Sequence, residues 1–519
     1  MLAKVNLDAL IPREDFEIEQ NINKAFGRNT ATIAISDLKE DSFFFTALRK
    51  PDFQRETNEW DSNRICDLIE SFLDGQLIPA IILWRSQGSN IFVIDGSHRL
   101  SALAAWVNDD YGDGKISKNF YESQIPDDQI EIAEKTRLLV RKRIGAFSDF
   151  ELAVKYPEKV KPEVKEKAKS LGALAIQLQW VEGDSSTAEA SFFKINQQAA
   201  PIDPTEFRLL KARKKPNGVA ARAIIRSGTG HKYWSGFPQQ KQIEIEELAK
   251  EINDTIFEPD YKNPIKTLDL PIGGKLYSSQ TLPLVFDFVN IVNKDRLKPS
   301  SELQDDLNGD ETITLLNNCK KVARRINSNH PSSLGLHPAV YFYSQTGRHK
   351  IASFFAITSL IVDFEKGNFY LNFIKVREQF ENLLIDYDYL IQQIVRKYRS
   401  ASKGYEFIKE FYFTCITKLL EDKNRKDVIE EILKTSQYNY LKDTIMEIAP
   451  SSSDFSPEVK SAVFIKEALS KAIKCKICGG YIHRNSISID HIVRKENGGS
   501  GSLENAQLTH PFCNTTIKN

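Results

Sequence analysis

The feature that most limits what this chain can fold into lies at its far end: "CKIC" at 475–478 and "HPFC" at 510–513. Cys475 and Cys478 are spaced so that one tight knuckle offers both sulfurs to adjacent corners of a tetrahedron. His510 and Cys513 repeat the spacing after 31 intervening residues. Three soft thiolates and an imidazole in two matched pairs fit a Cys3His zinc site. A module of about 50 residues buries little apolar surface, so metal binding there would supply folding free energy. A chance cluster of surface residues does not account for two pairs with one spacing.

The other cysteines argue against a disulfide framework, since only six occur in 519 residues. Cys66, Cys319 and Cys415 stand alone in apolar or helical contexts and read as buried thiols. The opening "MLAKVNLDALIPREDFEIEQ" lacks the apolar run of a secretory signal, and no stretch reaches membrane-spanning length. A reducing, cytoplasmic setting without a membrane partner follows as the expectation. Seventy Lys and Arg balance seventy Asp and Glu, which excludes a global basic footprint. Residues 456–519 nevertheless carry nine positive against five negative side chains, a local excess that a phosphate backbone tolerates.

Length predicts two to four domains, and the texture of the sequence divides it into three. "RICDLIESFLDGQ" has helical apolar spacing closed by Gly75, "PAIILW" and "SNIFVIDG" read as strands, and "SHRLSALAAWV" as a helix starting past Gly96. A further helix is expected from near Pro204, with Glu206 early in it. From about 240 the sequence turns helical, with "QIEIEELAKEIND" and the span 371–446, interrupted by the loop-like "SELQDDLNGDET" and "LDLPIGGKLYSSQ". "APSSSDFSPEV" (449–459) reads as a linker. The expectation is an α+β multidomain chain: an α/β domain over 1–235, a mainly helical region over 236–450 and a zinc-stapled module over 451–519.

Between its zinc pairs the terminal module holds more than a staple needs. "ISIDHIV" alternates as a strand ending in Asp490–His491, "AQLTH" reads as a returning strand, and Pro511 suits the first turn of a short helix "PFCNTTIKN". Segment 475–519 resembles the HNH endonuclease family, whose pattern runs C-x2-C, D-H, a Gly-Gly turn, an Asn, then C-x2-C-N. Here the matches are "CKIC", "DHI", "GG", "LEN" and "HPFCN". His510 stands where a cysteine is usual, and five residues follow Asn514, leaving a short final helix. The resemblance implies a ββα-metal fold that hydrolyses DNA phosphodiesters. It assigns Asp490 and Asn514 to a catalytic Mg²⁺ or Mn²⁺, His491 to proton abstraction, and Asn505 to orienting the loop that carries the histidine. The residue types agree on their own terms: a carboxylate and an amide oxygen suit a hard cation, and an imidazole takes a proton near neutral pH. His491, one position past Asp490, points to the opposite side of the strand. His483 is off the pattern and reads as a surface residue. Two rivals remain: a non-catalytic DNA-binding regulator with a structural zinc knuckle, and a homing or mobile-element HNH nuclease.

A second signal sits in "VIDGSHRLSALAAW" (93–106). Strand, turn at Asp95–Gly96 and helix make a shape that binds anions on free backbone N–H groups, with Arg99 placed for a bidentate phosphate contact. The plain alternative is that Asp95 or Ser97 caps a helix. With "KPDFQRETNEWD" (50–61) and "FFKINQQAAPIDPTEF" (192–207), this stretch resembles GmrSD-like restriction proteins over roughly residues 30–230. The matching positions are Pro51, Gln54, Arg55 and Trp60; Asp95, Gly96 and Arg99; Ile195, Asn196 and Glu206. Ser97 and His98 replace two glutamines, and a related group of DNA-modification proteins also carries the histidine. The resemblance implies a ParB/sulfiredoxin-like fold that binds or hydrolyses a nucleoside triphosphate and senses modified DNA. Gln54, Arg55, Asp95, Gly96, His98 and Arg99 are its pocket candidates.

Two basic runs, Arg208, Lys211, Arg213, Lys214 and Lys215, then Arg396, Lys397, Arg399 and Lys403, read as solvated helix faces or as a track for DNA. Tyr398 beside the second run is placed for a base stack or for half-burial. The function expected is a metal-dependent nuclease that nicks or cleaves phage or other foreign DNA in antiviral defence. A nucleotide-binding front domain would regulate it, and the helices would space the ends, relay a signal or form a homodimer.

Overall fold

Apolar five-residue runs build the first of two compact units, which takes most of residues 1–214 with 229–235; the second takes 215–228, 236–276 and most of 280–519. The computed structural model describes residues 4–14, 29–52, 54, 57–86, 90–123, 125–199 (backbone only at 196–199), 208–209, 211–276, 281–297, 303–443 and 454–517.

In the first unit, strands β1 (Arg13–Glu14), β2 (Thr32–Ile33), β3 (Leu48–Pro51), β4 (Ile81–Arg85), β5 (Ile91–Asp95) and β6 (Ile176–Trp180) form one mixed sheet in the order β1-β3-β5-β4-β6-β2. The centre is antiparallel, with Leu83 opposite Val93 and Trp84 opposite Phe92, while β3 joins β5 and β6 joins β4 in parallel. Ile91 to Ile94 are all buried because both faces of the central strand are covered. Nearer the edge, β6 alternates, with Ile176 and Leu178 inward and Gln177 and Gln179 outward.

Two expected helices cover one face. Helix Ser62–Leu73 starts where the Asp61 carboxylate accepts from the Arg64 N–H at 3.0 Å, and it buries Ile65, Cys66, Ile69, Phe72 and Leu73. Helix Ser97–Asn108 buries Trp106, whose indole donates to the Gly145 carbonyl at 3.0 Å between the edges of Phe147 and Phe150. Trp84, Phe92 and Ile94 point to the other face, against Ala188 and Phe192 of helix Ser185–Ala199. The helix start expected near Pro204 lies outside the described residues.

The second unit is helical as expected, including Gln239–Phe257, Asp310–Ile326, Ile351–Gly367, Tyr370–Asp386 and Ala401–Leu419. Within the acidic loop the Asp306 carboxylate accepts from the Gly309 and Thr312 N–H groups at 2.8 Å each, where helix Asp310–Ile326 starts. Part of the expected linker, 449–453, lies outside the described residues; a helix then begins at Pro457 with Ser456 as its cap. The terminal hairpin β7 (Ser488–His491) and β8 (Ala506–Thr509) belongs to the same unit. The short final helix proves to be a single wide turn, Cys513–Ile517. Among the described residues no helix is long and apolar enough to cross a membrane.

Candidate active site and zinc centre

The knuckle forms because Gly479 (φ +69°) lets the chain reverse, with its N–H donating to the Cys475 carbonyl and the Cys475 N–H to the Gly480 carbonyl, at 3.0 and 2.8 Å. The Ile477 N–H points at the Cys475 sulfur, 3.5 Å away. Cys475, Cys478, His510 and Cys513 are all buried, and their ligand atoms lie within 4.8 Å of one another. His510 donates from Nε2 to the Tyr481 carbonyl at 3.0 Å, which fixes the tautomer and turns Nδ1 toward the Cys478 sulfur at 3.4 Å. Hydrogen bonding with Cys478 pulls the Cys475 thiol down, while hydrogen bonding with Cys475 pushes Cys478 up to about 11 and raises Cys513 as well. Three converging sulfurs share protons in this way on their own, and a divalent cation is the group that lets all of them ionise. The donor set fits a structural zinc.

A side chain that sequence reasoning missed anchors this centre to the helical body. Arg377 is fully buried in helix Tyr370–Asp386. Its Nε donates to Glu381 Oε1 at 2.8 Å and Nη2 to the Gly335 carbonyl at 3.0 Å. Nη1 donates to the Leu334 carbonyl and lies 3.2 Å from His510 Nδ1, whose one lone pair a zinc ion would take. Glu381 completes the network by accepting the Tyr341 hydroxyl at 3.0 Å and the Tyr481 N–H at 2.7 Å. Burial works against the Arg377 charge, but Glu381 and the nearby sulfurs hold its pKa well above the usual arginine range. Gly335 and Gly480 make room for it: a Cβ on Gly480 would stand 2.4 Å from Arg377 Nε, and one on Gly335 (φ +60°) 2.6 Å from the His510 ring. His483, expected at the surface, is instead 2% exposed and bonds Asn327 through Nδ1 at 3.1 Å. The knuckle packs on the helices, and that covers it.

The catalytic candidates sit on the hairpin, whose register pairs Asp490 with Gln507 and His491 with Ala506. Ser488 and Asp490 share one face of β7, and Ile489 and His491 take the other. Asp490 is 6% exposed, and its Oδ2 accepts from Gln507 Nε2 at 2.7 Å. Asn514 donates from Nδ2 to Ser488 Oγ at 2.7 Å and to the Ile489 carbonyl at 3.1 Å, laying its amide beside the strand that carries Asp490. The Asn514 backbone N–H donates to the His510 carbonyl at 3.0 Å, so zinc ligand and asparagine share one turn. Asn505 accepts the Val493 N–H at 2.7 Å and donates to the Val493 and Ser500 carbonyls at 3.1 and 2.7 Å, closing the loop that leaves His491. That loop needs Gly499, where a Cβ would fall 1.8 Å from the Val493 carbonyl.

In the first unit, β5 ends at Asp95, Gly96 turns at φ +95°, and helix Ser97–Asn108 begins without a side-chain cap, so neither Asp95 nor Ser97 does that work. The Asp95 carboxylate instead receives Arg99 Nη2 at 2.8 Å, and the same nitrogen reaches the Ala80 carbonyl at 3.2 Å. His98 stacks on Trp60 with centroids 5.8 Å apart, and Arg64 covers Trp60 at 4.8 Å. Gln54 is 7% exposed, and its backbone carbonyl accepts from Arg13. Arg55 and Glu206 lie outside the described residues, as does the side chain of Asn196.

Beneath Gln54 lies a buried cluster that the sequence did not announce. Asp8 receives Lys50 at 2.7 Å, the Thr57 N–H at 2.9 Å and a two-pronged contact from Arg13. Arg213, from the first basic run, turns to Asp52 at 3.3 Å and Glu189 at 3.6 Å. Tyr398 stacks on Phe407 at 3.9 Å, the half-buried alternative.

Two family models match the chain: residues 35–213 match the N-terminal domain of the GmrSD restriction endonuclease, and residues 475–519 match the HNH endonuclease. No curated protein and no solved structure matches. With a restriction-type domain at the front and an HNH nuclease domain at the back, the chain matches the arrangement of a GmrSD-like restriction protein.

Proposed function

We propose that the protein is an HNH endonuclease of antiviral defence that hydrolyses DNA phosphodiesters at the β7 hairpin. The observation that carries this reading is the Asn514 amide held against the Ser488–Asp490 side of β7, with His491 on the other side of the strand. Asp490 and Asn514 would hold one Mg²⁺ or Mn²⁺, a hard cation suited to a carboxylate and an amide oxygen. When bound, that ion neutralises charge on the phosphate as it develops. Gln507 fixes the Asp490 rotamer through Oδ2. His491 accepts the proton of the attacking water while the new P–O bond forms and the leaving P–O bond breaks, and the departing sugar oxygen takes its proton from solvent. Asn505 keeps the His491 loop in register and touches no reacting atom. Zinc at Cys475, Cys478, His510 and Cys513 fixes the base of the hairpin and the turn that carries Asn514.

The front unit adopts a ParB/sulfiredoxin-like fold in this reading. It takes a nucleoside triphosphate beside Gln54, Arg55, Asp95, Gly96, His98 and Arg99 and so regulates cutting. A triphosphate would compete with Asp95 for Arg99, because the Asp95–Arg99 pair occupies the guanidinium. The test is supercoiled plasmid with zinc-loaded protein and Mg²⁺ or Mn²⁺, with and without each nucleotide. Open-circle product that disappears in His491→Ala supports the reading. Absence of cutting across all metals, nucleotides and modified DNAs rejects it and favours a zinc-knuckle regulator.

A further inference from the structure

Beside the knuckle runs a groove of about 1370 Å³ that the reaction scheme above leaves unused. One wall is helix Tyr370–Asp386, through Leu371, Lys375 and Gln379; the other is Lys476 of the knuckle with Ala506 and Gln507 of β8. The helical wall lies outside both segments that match known families. Its position is nevertheless fixed, because Glu381 of that helix accepts from the Tyr481 N–H and the Arg377 guanidinium lies against His510 from the buried side.

Three features point to what the groove takes. Ala506 pairs with His491 and Gln507 bonds Asp490, so one end of the groove reaches the catalytic strand. Lys375 and Lys476 are exposed and, among the described residues, form no ion pair, whereas Lys474 is held by Glu378 at 3.0 Å. Outside the zinc centre, Lys375, Lys474 and Lys476 against Glu378 leave the lining with a net double positive charge. The volume also exceeds the range of about 300–1,000 Å³ typical of small-molecule sites, which favours a polymer. The rim offers Leu371, Ile473 and Ile492, each about half exposed, as dry surface for the C–H faces of sugars.

We propose that this groove seats the sugar-phosphate backbone of a DNA strand next to the cutting site, with Lys375 and Lys476 each contacting a phosphate. The inference rests on the nuclease reading and adds to it. The helical body becomes half of the DNA-binding surface, so the HNH segment alone would grip DNA poorly.

The test uses full-length, zinc-loaded protein carrying His491→Ala, so that a short fluorescent duplex is bound without being cut. Each lost phosphate contact lowers the slope of log K against log salt by about 0.9, which is about 8-fold in affinity at 0.1 M salt. Lys375→Gln with Lys476→Gln should therefore flatten the slope by about 1.8 and weaken binding on the order of 60-fold. Lys375→Glu should weaken binding further than Lys375→Gln. Lys426→Gln, on the exposed helix Arg425–Leu433, should leave both unchanged. Zinc content equal to that of the parent shows that the knuckle is intact. An unchanged slope in the double variant, while His491→Ala still abolishes nicking in the native background, overturns the groove and leaves the nuclease standing. Nicking that survives His491→Ala overturns the nuclease reading and the groove with it. A double variant that alters oligomer mass in sedimentation, with DNA binding unchanged, assigns the groove to a second copy of the chain instead.

Discussion

Replacing Arg377 with methionine isolates the contact between zinc centre and helical body. Methionine keeps most of the volume, so the cavity term is small, but the guanidinium's hydrogen bonds to Glu381 and to the Leu334 and Gly335 carbonyls vanish. Glu381 would stay buried with only the Tyr341 hydroxyl and the Tyr481 N–H to balance its charge. Breaking a buried ion pair from one side costs about 3–5 kcal/mol. The orphaned Leu334 and Gly335 carbonyls add roughly 1 kcal/mol or more each. A total of about 5–7 kcal/mol exceeds a thousand-fold change in the folding equilibrium of the unit. All five tryptophans, at 60, 84, 106, 180 and 234, lie in the first unit, so tryptophan fluorescence does not report this loss. Zinc release to a coloured chelator along a urea series does. Arg377→Met should release zinc at a much lower urea midpoint. Lys474→Met, which removes a half-exposed pair with Glu378, should shift it by about 1 kcal/mol or less. Arg377→Met combined with Glu381→Leu should recover much of the loss, because no buried charge is left unpaired. Release from Arg377→Met within 1 kcal/mol of wild type would refute the reasoning.

Gly480→Ala drives a methyl against Arg377 Nε and should lower zinc retention by the same assay, whereas Gly172→Ala, with open space around it, should not. Asn505→Ala removes three hydrogen bonds to the His491 loop, about 1 kcal/mol each, and should slow nicking while zinc stays bound. Asp8→Asn weakens a carboxylate that neutralises the buried Arg13 and Lys50, and a loss of about 3 kcal/mol or more should appear in tryptophan fluorescence. Burial lowers His349 and His483 to about 4, so the folded protein binds fewer protons than the unfolded chain as pH falls from about 6.5. Stability from these histidines is full above pH 6.5 and is lost toward pH 4, on the order of 3 kcal/mol apiece. His349→Gln should flatten the acid limb of a denaturation-midpoint profile, and an unchanged limb would remove that histidine from the account.

The knuckle was legible because ligand chemistry imposes spacing on sequence, and Cys475, Cys478, His510 and Cys513 do converge. The hairpin was legible for a related reason: alternation put Asp490 and His491 on opposite faces, and the register agrees. Gln507 escaped notice because its role depends on which residue of β8 falls opposite Asp490, and the loop between the strands sets that. Arg377 and Glu381 do leave a trace in the sequence. They fall at helical spacing with Phe373, Ile374, Phe380 and Leu384, so two charged residues lie on the buried stripe. Charged residues on such a stripe need partners, and these two pair with each other and reach Leu334, Gly335, Tyr341 and Tyr481 from distant segments. His483 misled because polarity alone placed it outside, whereas packing of the knuckle against the helices decides its burial. The Asp8 cluster was equally hidden, since its members come from three separate segments.

The most direct test of the central claim, that Asp490 and Asn514 serve one cation, is a double-mutant cycle on the nicking rate of supercoiled plasmid in Mn²⁺. Asp490→Ala and Asn514→Ala should each slow nicking with zinc content unchanged, and the double variant should be no slower than the worse single one, because a shared site is lost only once. Losses that multiply would mean that the two side chains act independently, and the shared-cation site would be wrong.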